Sequence, residues 1–141
     1  KKDKNICAAI SNENKEAMQY LDHSFSPINT LEKKFSDMTS KTISFNSHSE
    51  KKIYTYKFSQ IVQAQELQLK QIDFLNIDAE AHDFEVLEGI ELSSYKVKLI
   101  CIEMLDFQNQ INEKKFKDYL SKHNYDLIKI IGPNGFFELR N

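Results

Sequence analysis

Glycine is scarce in this 141-residue chain: Gly89, Gly132 and Gly135 are the only three, and all fall in the second half. A glycine-rich strand-turn-helix loop of the kind that cradles a nucleotide or a phosphate is therefore excluded from it. Cysteine is nearly as rare. Cys7 and Cys101 are too few for a disulfide framework or a cysteine zinc site. Each lies in an apolar, strand-like run, so both read as buried free thiols in a reducing, cytoplasmic setting. No apolar run approaches the ~20 residues of a membrane span, and no signal-peptide pattern is present, so no membrane partner is expected. An excess of positive charge is missing as well. With 19 basic against 21 acidic residues and a net charge of -2, a dedicated nucleic-acid binder is disfavoured. An initiator methionine is also lacking. The chain opens "KKDKNICAAIS" and enters a strand pattern almost at once, which is expected of part of a longer protein cut upstream.

What is present is enough apolar side chain, 40% of residues with 11% aromatic, to bury one domain's core. No internal repeat or low-complexity tract interrupts it. Residues 5–10 read as a short buried strand, and 16–22 as a strand or a helical turn. Leu31, Phe35 and Met38 fall at helical spacing, with Asn29 and Glu32 placed as a capping box. Residues 41–56 alternate as one or two strands. Phe58, Ile61 and Val62 mark a short helix through about Leu67. "IDFLNID" reads as a buried parallel strand and "HDFEVLEGI" as a helix with Phe84, Leu87 and Ile90 on its inner side and Gly89 near its end. "VKLICIEML" is a second buried strand. Residues 112–123 form the clearest helix: Asn112 can cap it, and Phe116, Tyr119, Leu120 and His123 share one face. "YDLIKIIG" and "FFELRN" are strands joined by "GPNG", a link so short that it forces an antiparallel hairpin. The alternation predicts an α/β fold, a mostly parallel sheet with an antiparallel edge, whose core includes residues 73–77, 98–102, 127–131 and 136–139.

Against this background one stretch stands out. Between Lys70 and Lys96 there is no lysine or arginine, yet Asp73, Asp78, Glu80, Asp83, Glu85, Glu88 and Glu91 are acidic. In an open α/β sheet, ligands bind beyond the carboxyl ends of the strands. Asp78 ends the first buried strand, Glu80 follows in the loop, and Glu103 ends the second strand. If the strands are neighbours, all three share one rim. Asp83 and Glu85 have a plainer role in the first turn of a helix, where the dipole favours negative charge by ~0.3–1 kcal/mol each. Glu88 and Glu91 read as solvated helix surface.

The sequence "DFLNIDAEAHDFEVLEG", followed by "KLICIE", resembles the signature of FkbM-type methyltransferases, "DFLKIDVEGxExxVLKG" and a strand ending in Glu. "NICAAISNENKEA" is similar to that family's segment after its third strand, and "KIYTYKFSQIV" to the segment before the signature. A "Gly-Tyr"-like turn at "HNYDL" and the closing hairpin extend the resemblance over most of the chain. It implies a Rossmann-like class I methyltransferase fold, present as the C-terminal portion (residues 1–141) of a single such domain and so incomplete. It implies S-adenosylmethionine as donor and a small-molecule hydroxyl, of a sugar or secondary metabolite, as acceptor.

The sequence departs from the pattern at Ala81, where the family usually has Gly, and at Asn76 and Asp83. The family's glycine-rich donor loop has no counterpart here, so the isolated chain is expected to be inactive without an upstream donor-binding half. On the resemblance, Asp78 and His82 are the candidate catalytic bases, Asp78 also faces the donor, and Glu80 and Glu103 hold acceptor hydroxyls. No metal is assigned. An alternative reading, a cation held by Asp78, Glu80 and His82, requires the strand to continue through a position where a turn is expected. The alternative to an enzyme is a non-catalytic, methyltransferase-like binding module or a degenerate fragment.

Overall fold

The computed structural model describes residues 3–22, 26, 28–42, 49–69, 71–108 and 110–140. The second half follows the expected alternation: β4 (Gln71–Ile77), α3 (Asp83–Gly89), β5 (Lys96–Glu103), α4 (Glu113–Lys122), β6 (Tyr125–Ile131) and β7 (Asn134–Leu139). These strands make one sheet in the order β4-β5-β7-β6. Only β4 and β5 pair in parallel; β7 is antiparallel to both β5 and β6. The expected mostly parallel sheet is therefore corrected to a mixed one. The reason lies in the hairpin. Gly132, at φ +57°, and Pro133 turn the chain back at once. The returning strand then inserts between β5 and β6 instead of extending the outer edge.

The register sets the core. Leu75, Ile100, Phe137 and Leu127 form one row across all four strands, and α3 and α4 contribute Leu87, Phe116 and Leu120 to the same cluster. Asn112 caps α4 by accepting the Lys115 N–H, as its sequence predicts. Asn124, at φ +66°, takes the left-handed turn after that helix, a role Asn fills where Gly is absent. Tyr125 is buried beside it. Its hydroxyl donates to the Val97 carbonyl at 2.9 Å and accepts the Val97 N–H at 3.1 Å. The phenol thus stands in for a strand partner at the start of β5. β4 has one strand neighbour among the described residues, so it is less buried than its apolar run suggests, and Phe74 is 53% exposed.

The first half makes a second, three-stranded sheet from β1 (Ala9–Ile10), β2 (Lys15–Leu21) and β3 (Ser49–Tyr56), in the order β1-β3-β2. Strand pairing begins only at Ala9, which leaves Cys7 exposed, not buried as its setting suggested; Cys101 is buried, and both are free thiols. The helices here are α1 (Lys33–Thr42) and α2 (Phe58–Ala64). Lys41 and Thr42 end α1 and do not begin a strand; residues 43–48 lie outside the described residues. The capping box is replaced: the Thr30 hydroxyl, not Asn29, accepts the Glu32 N–H at 3.0 Å, and Asn29 accepts the Asp22 N–H at 3.0 Å.

The two halves meet along α3. A methyl group on Gly89 would lie 2.2 Å from the Ser11 carbonyl oxygen. Gly89 is the last residue of α3, at the helix end where the sequence places it, and it also serves a close backbone approach. The Asn12 side-chain amide donates to Glu88 at 2.8 Å in the same contact. Gly89→Ala should destabilise the chain by about 1–3 kcal/mol through overpacking, although Ala is the better helix former by up to ~1 kcal/mol. Urea denaturation checks this; an unchanged or raised midpoint would show that the Ser11 segment moves aside freely.

Candidate active site

The parallel register of β4 and β5 builds the site. Ile77 pairs with Ile102, so the next residue of each strand, Asp78 and Glu103, emerges at the same carboxyl-end rim. The chain then turns through residues 78–82 into α3. Glu80 and Ala81 take φ of +52° and +71°, a left-handed pair that costs L-residues ~1–2 kcal/mol each. Three hydrogen bonds hold it: Thr30 Oγ1 donates to the Glu80 carbonyl at 2.7 Å, the His82 N–H to the Ala79 carbonyl at 3.2 Å, and the Ala79 N–H to Asp83 Oδ1 at 2.8 Å. Ala81 thus occupies a conformation that suits the glycine usual at this place in the resembling family.

The carboxylates repel one another in this confined rim. Asp78, Asp83 and Glu103 each bring an oxygen into a group whose members lie within 4.8 Å of one another. Burial, then the charges of Glu103 and Asp78, push the Glu80 carboxyl up to about 7. Burial, then Asp78 and Asp83, raise Glu103 to about 7 as well. Burial raises Asp83 to about 6 against the opposing pull of the Ala79 N–H. Asp78 itself is exposed, open to a ligand from solvent.

His82 lies elsewhere. Its ring is buried at the N-cap of α3, with Nε2 3.0 Å from Ser11 Oγ and Nδ1 2.7 Å from Glu32 Oε1. A carboxylate only accepts, so Nδ1 carries the proton, and Nε2 is left to accept from the serine hydroxyl in the neutral ring. The same hydrogen bond, ahead of the opposing burial, keeps Glu32 below the usual carboxylate range. The structure thus brings Asp78, Glu80 and Glu103 to one rim and turns His82 toward the first-half sheet, in a separate group with Glu32 and Glu85. The alternative grouping of Asp78, Glu80 and His82 around a cation does not form.

Sequence reasoning missed Asp83, which is 1% exposed and belongs to the rim, because its first-turn position already had a dipole explanation. It also missed Ser11 and Glu32. Both reach His82 across long stretches of chain, and no local pattern signals such contacts. Glu88 and Glu91, read as solvated, instead engage Asn12 and Lys57. Beside the loop, a cleft of about 250 Å³ is lined by Ala81, Phe84, Glu85, Asp106, Phe107 and Asn112, among others.

No helix among the described residues is long and apolar enough to cross a membrane. The family described as Methyltransferase FkbM domain matches residues 1–127, which span everything from the first strand to the start of β6. No curated protein and no solved structure matches the chain.

The raised carboxyls carry a sign that stability measurements can read. In the unfolded chain Glu titrates near ~4.3; in the fold Glu80 and Glu103 hold their protons to about 7. Their protonated forms favour the fold, so this stability is full below the unfolded value and is lost as pH rises through the folded one. In the presence of a chelator, the urea midpoint should fall from pH 5 to pH 8, and Glu103→Gln should flatten the fall. A midpoint that rises over this window, or a slope identical in the variant, would contradict the crowding of the rim.

Proposed function

Because the chain belongs to the FkbM methyltransferase domain family, we propose that it carries the acceptor-side machinery of an S-adenosylmethionine-dependent O-methyltransferase. The acceptor is a hydroxyl of a sugar or related secondary metabolite. One observation carries the reading: Asp78, exposed at the end of β4, stands beside Glu103 at the end of β5 on a rim that the parallel register creates.

The donor supplies an electrophilic methyl group when it is bound. Among the described residues no glycine-bearing loop offers it a cradle: Gly89 is packed on Ser11, and Gly132 and Gly135 lie in the β6–β7 hairpin. The residues present therefore do not fit the donor, and what they supply is on the acceptor side. Asp78 receives the proton of the acceptor hydroxyl, a contribution of ~10²–10⁴-fold for a positioned base. Glu80 and Glu103, held near neutrality at about 7, can each donate or accept a hydrogen bond to neighbouring hydroxyls. The cleft beside Ala81 is lined by Phe84 and Phe107, over whose rings Lys115 and Lys34 sit, and by Asn112, Glu85 and Asp106, which offer hydrogen-bonding groups to a polar acceptor such as a sugar. His82, with both ring nitrogens engaged, serves as a positioning residue for the loop. The lack of a donor cradle favours, as second reading, a methyltransferase-like binding module.

Methyl transfer from labelled S-adenosylmethionine to a broad panel of sugars, with the chain in its natural full-length context, tests both. Asp78→Asn should lower turnover ~10²-fold or more, while Asp118→Asn, on the exposed face of α4, should leave it unchanged. Equal turnover in the two variants removes Asp78 from the reaction. Absence of transfer by the unaltered protein across the panel favours the binding module.

A further inference from the structure

Asp83 differs from an ordinary helix-start acid. It is 1% exposed, one oxygen accepts the Ala79 N–H, and the other is buried with no hydrogen-bond partner among the described residues. An unsatisfied buried acceptor costs ~1–3 kcal/mol, more when charged, and a cation bound at this oxygen would offset that cost. Asp78 and Glu103 lie beside the same carboxyl group: one oxygen from each of the three lies within 4.8 Å of the others. Among the described residues, no lysine, arginine or histidine forms an ion pair with any of the three.

We propose that Asp78, Asp83 and Glu103 hold a hard divalent cation of the magnesium or manganese class, with water and acceptor oxygens completing its shell. Three carboxylate oxygens are hard ligands, which select such ions over the softer metals that favour thiolate or imidazole. The spacing agrees. Oxygens around a six-coordinate magnesium stand about 3 Å apart when adjacent and about 4.2 Å apart when opposite, so the group needs only a small closure, which the exposed Asp78 side chain can supply by rotation. The cation would satisfy the orphaned Asp83 oxygen and cancel the repulsion along the rim. It leaves an open side toward solvent, where vicinal hydroxyls of a sugar could bind it. The neighbouring group of Glu32, His82 and Glu85 is a poorer site, because both imidazole nitrogens already have partners. The assignment rests on the methyltransferase reading for its role in acceptor binding, but not for the binding of the ion.

The experiment is a calorimetric titration of Mn²⁺ into the 141-residue chain and into Asp78→Asn, Glu103→Gln and Asp118→Asn, with melting temperatures recorded in chelator. Asp83→Asn is a fourth variant: its Oδ1 can still accept the Ala79 N–H, so loss of the ion there is separable from loss of the loop. One saturable site is expected, weakened at least roughly tenfold in the three rim variants, a loss seen even for changes outside the ligand shell, and unchanged in Asp118→Asn. Rim variants that melt no lower than the unaltered chain tie this loss to the ligands. No saturation into the millimolar range, or equal affinity in all five proteins, overturns the site. Methyl transfer by the full-length protein separates the two readings. Transfer that persists in chelator, without Mn²⁺ binding, overturns the cation and leaves the methyltransferase reading standing. Mn²⁺ binding without any transfer supports the cation and counts against that reading.

Discussion

One imidazole joins three distant parts of this chain. His82 contacts Ser11 at the end of β1 and Glu32 at the start of α1, while its own backbone begins α3. Its N–H closes the loop on the Ala79 carbonyl. Besides this ring, the Ser11–Gly89 approach and the Asn12–Glu88 bond tie the first half to α3, and Thr30 ties it to the Glu80 carbonyl in the loop before it. Because the ring is buried, neither nitrogen can exchange its partner for water cheaply. The loop from Asp78 to His82 is thereby fixed at both ends, by the β4 ladder on one side and by this polar joint on the other. That constraint is what permits Glu80 and Ala81 to remain at positive φ, and what keeps the carboxylate rim assembled against its own repulsion.

The rim shows the usual exchange between stability and function. Carboxylates crowded at strand ends oppose the fold at neutral pH, and an uncharged replacement would relieve them. Their number and convergence are hard to explain as surface solubility, because Asp83 is buried and Glu80 and Glu103 are half-buried. They are explained if charge is needed where an acceptor hydroxyl must be oriented and deprotonated. Register and burial bring these acids to one edge of the sheet, within the residues that the family match covers.

Much of the second half was legible in the sequence. The apolar runs of β4 and β5 are short, bounded, and end in acids. Asn112 and the spacing of Phe116 and Leu120 define α4, and "GPNG" defines the hairpin. What a turn motif cannot encode is which strand its hairpin will pair with, and so the insertion of β7 between β5 and β6 was not foreseen. The rim of Asp78 and Glu103 followed from strand ends alone. Asp83, Ser11 and the orientation of His82 did not, because they depend on contacts between residues far apart in sequence. The helix-end position of Gly89 was legible, but its close approach to Ser11, far along the chain, was not.

Native-state hydrogen exchange on His82→Phe tests the joint most directly. The replacement keeps a buried ring and removes both polar contacts. The account predicts that the amides of Ser11 and Thr30, bonded to Tyr56 and Tyr20, lose protection together with the β1–β3 ladder. The amides of Ile100 and Ile102 in β5 should keep theirs, as expected when one cooperative unit opens without the other. Equal loss across both sheets, or full protection at Ser11 and Thr30, would contradict the claim that this ring couples the two halves.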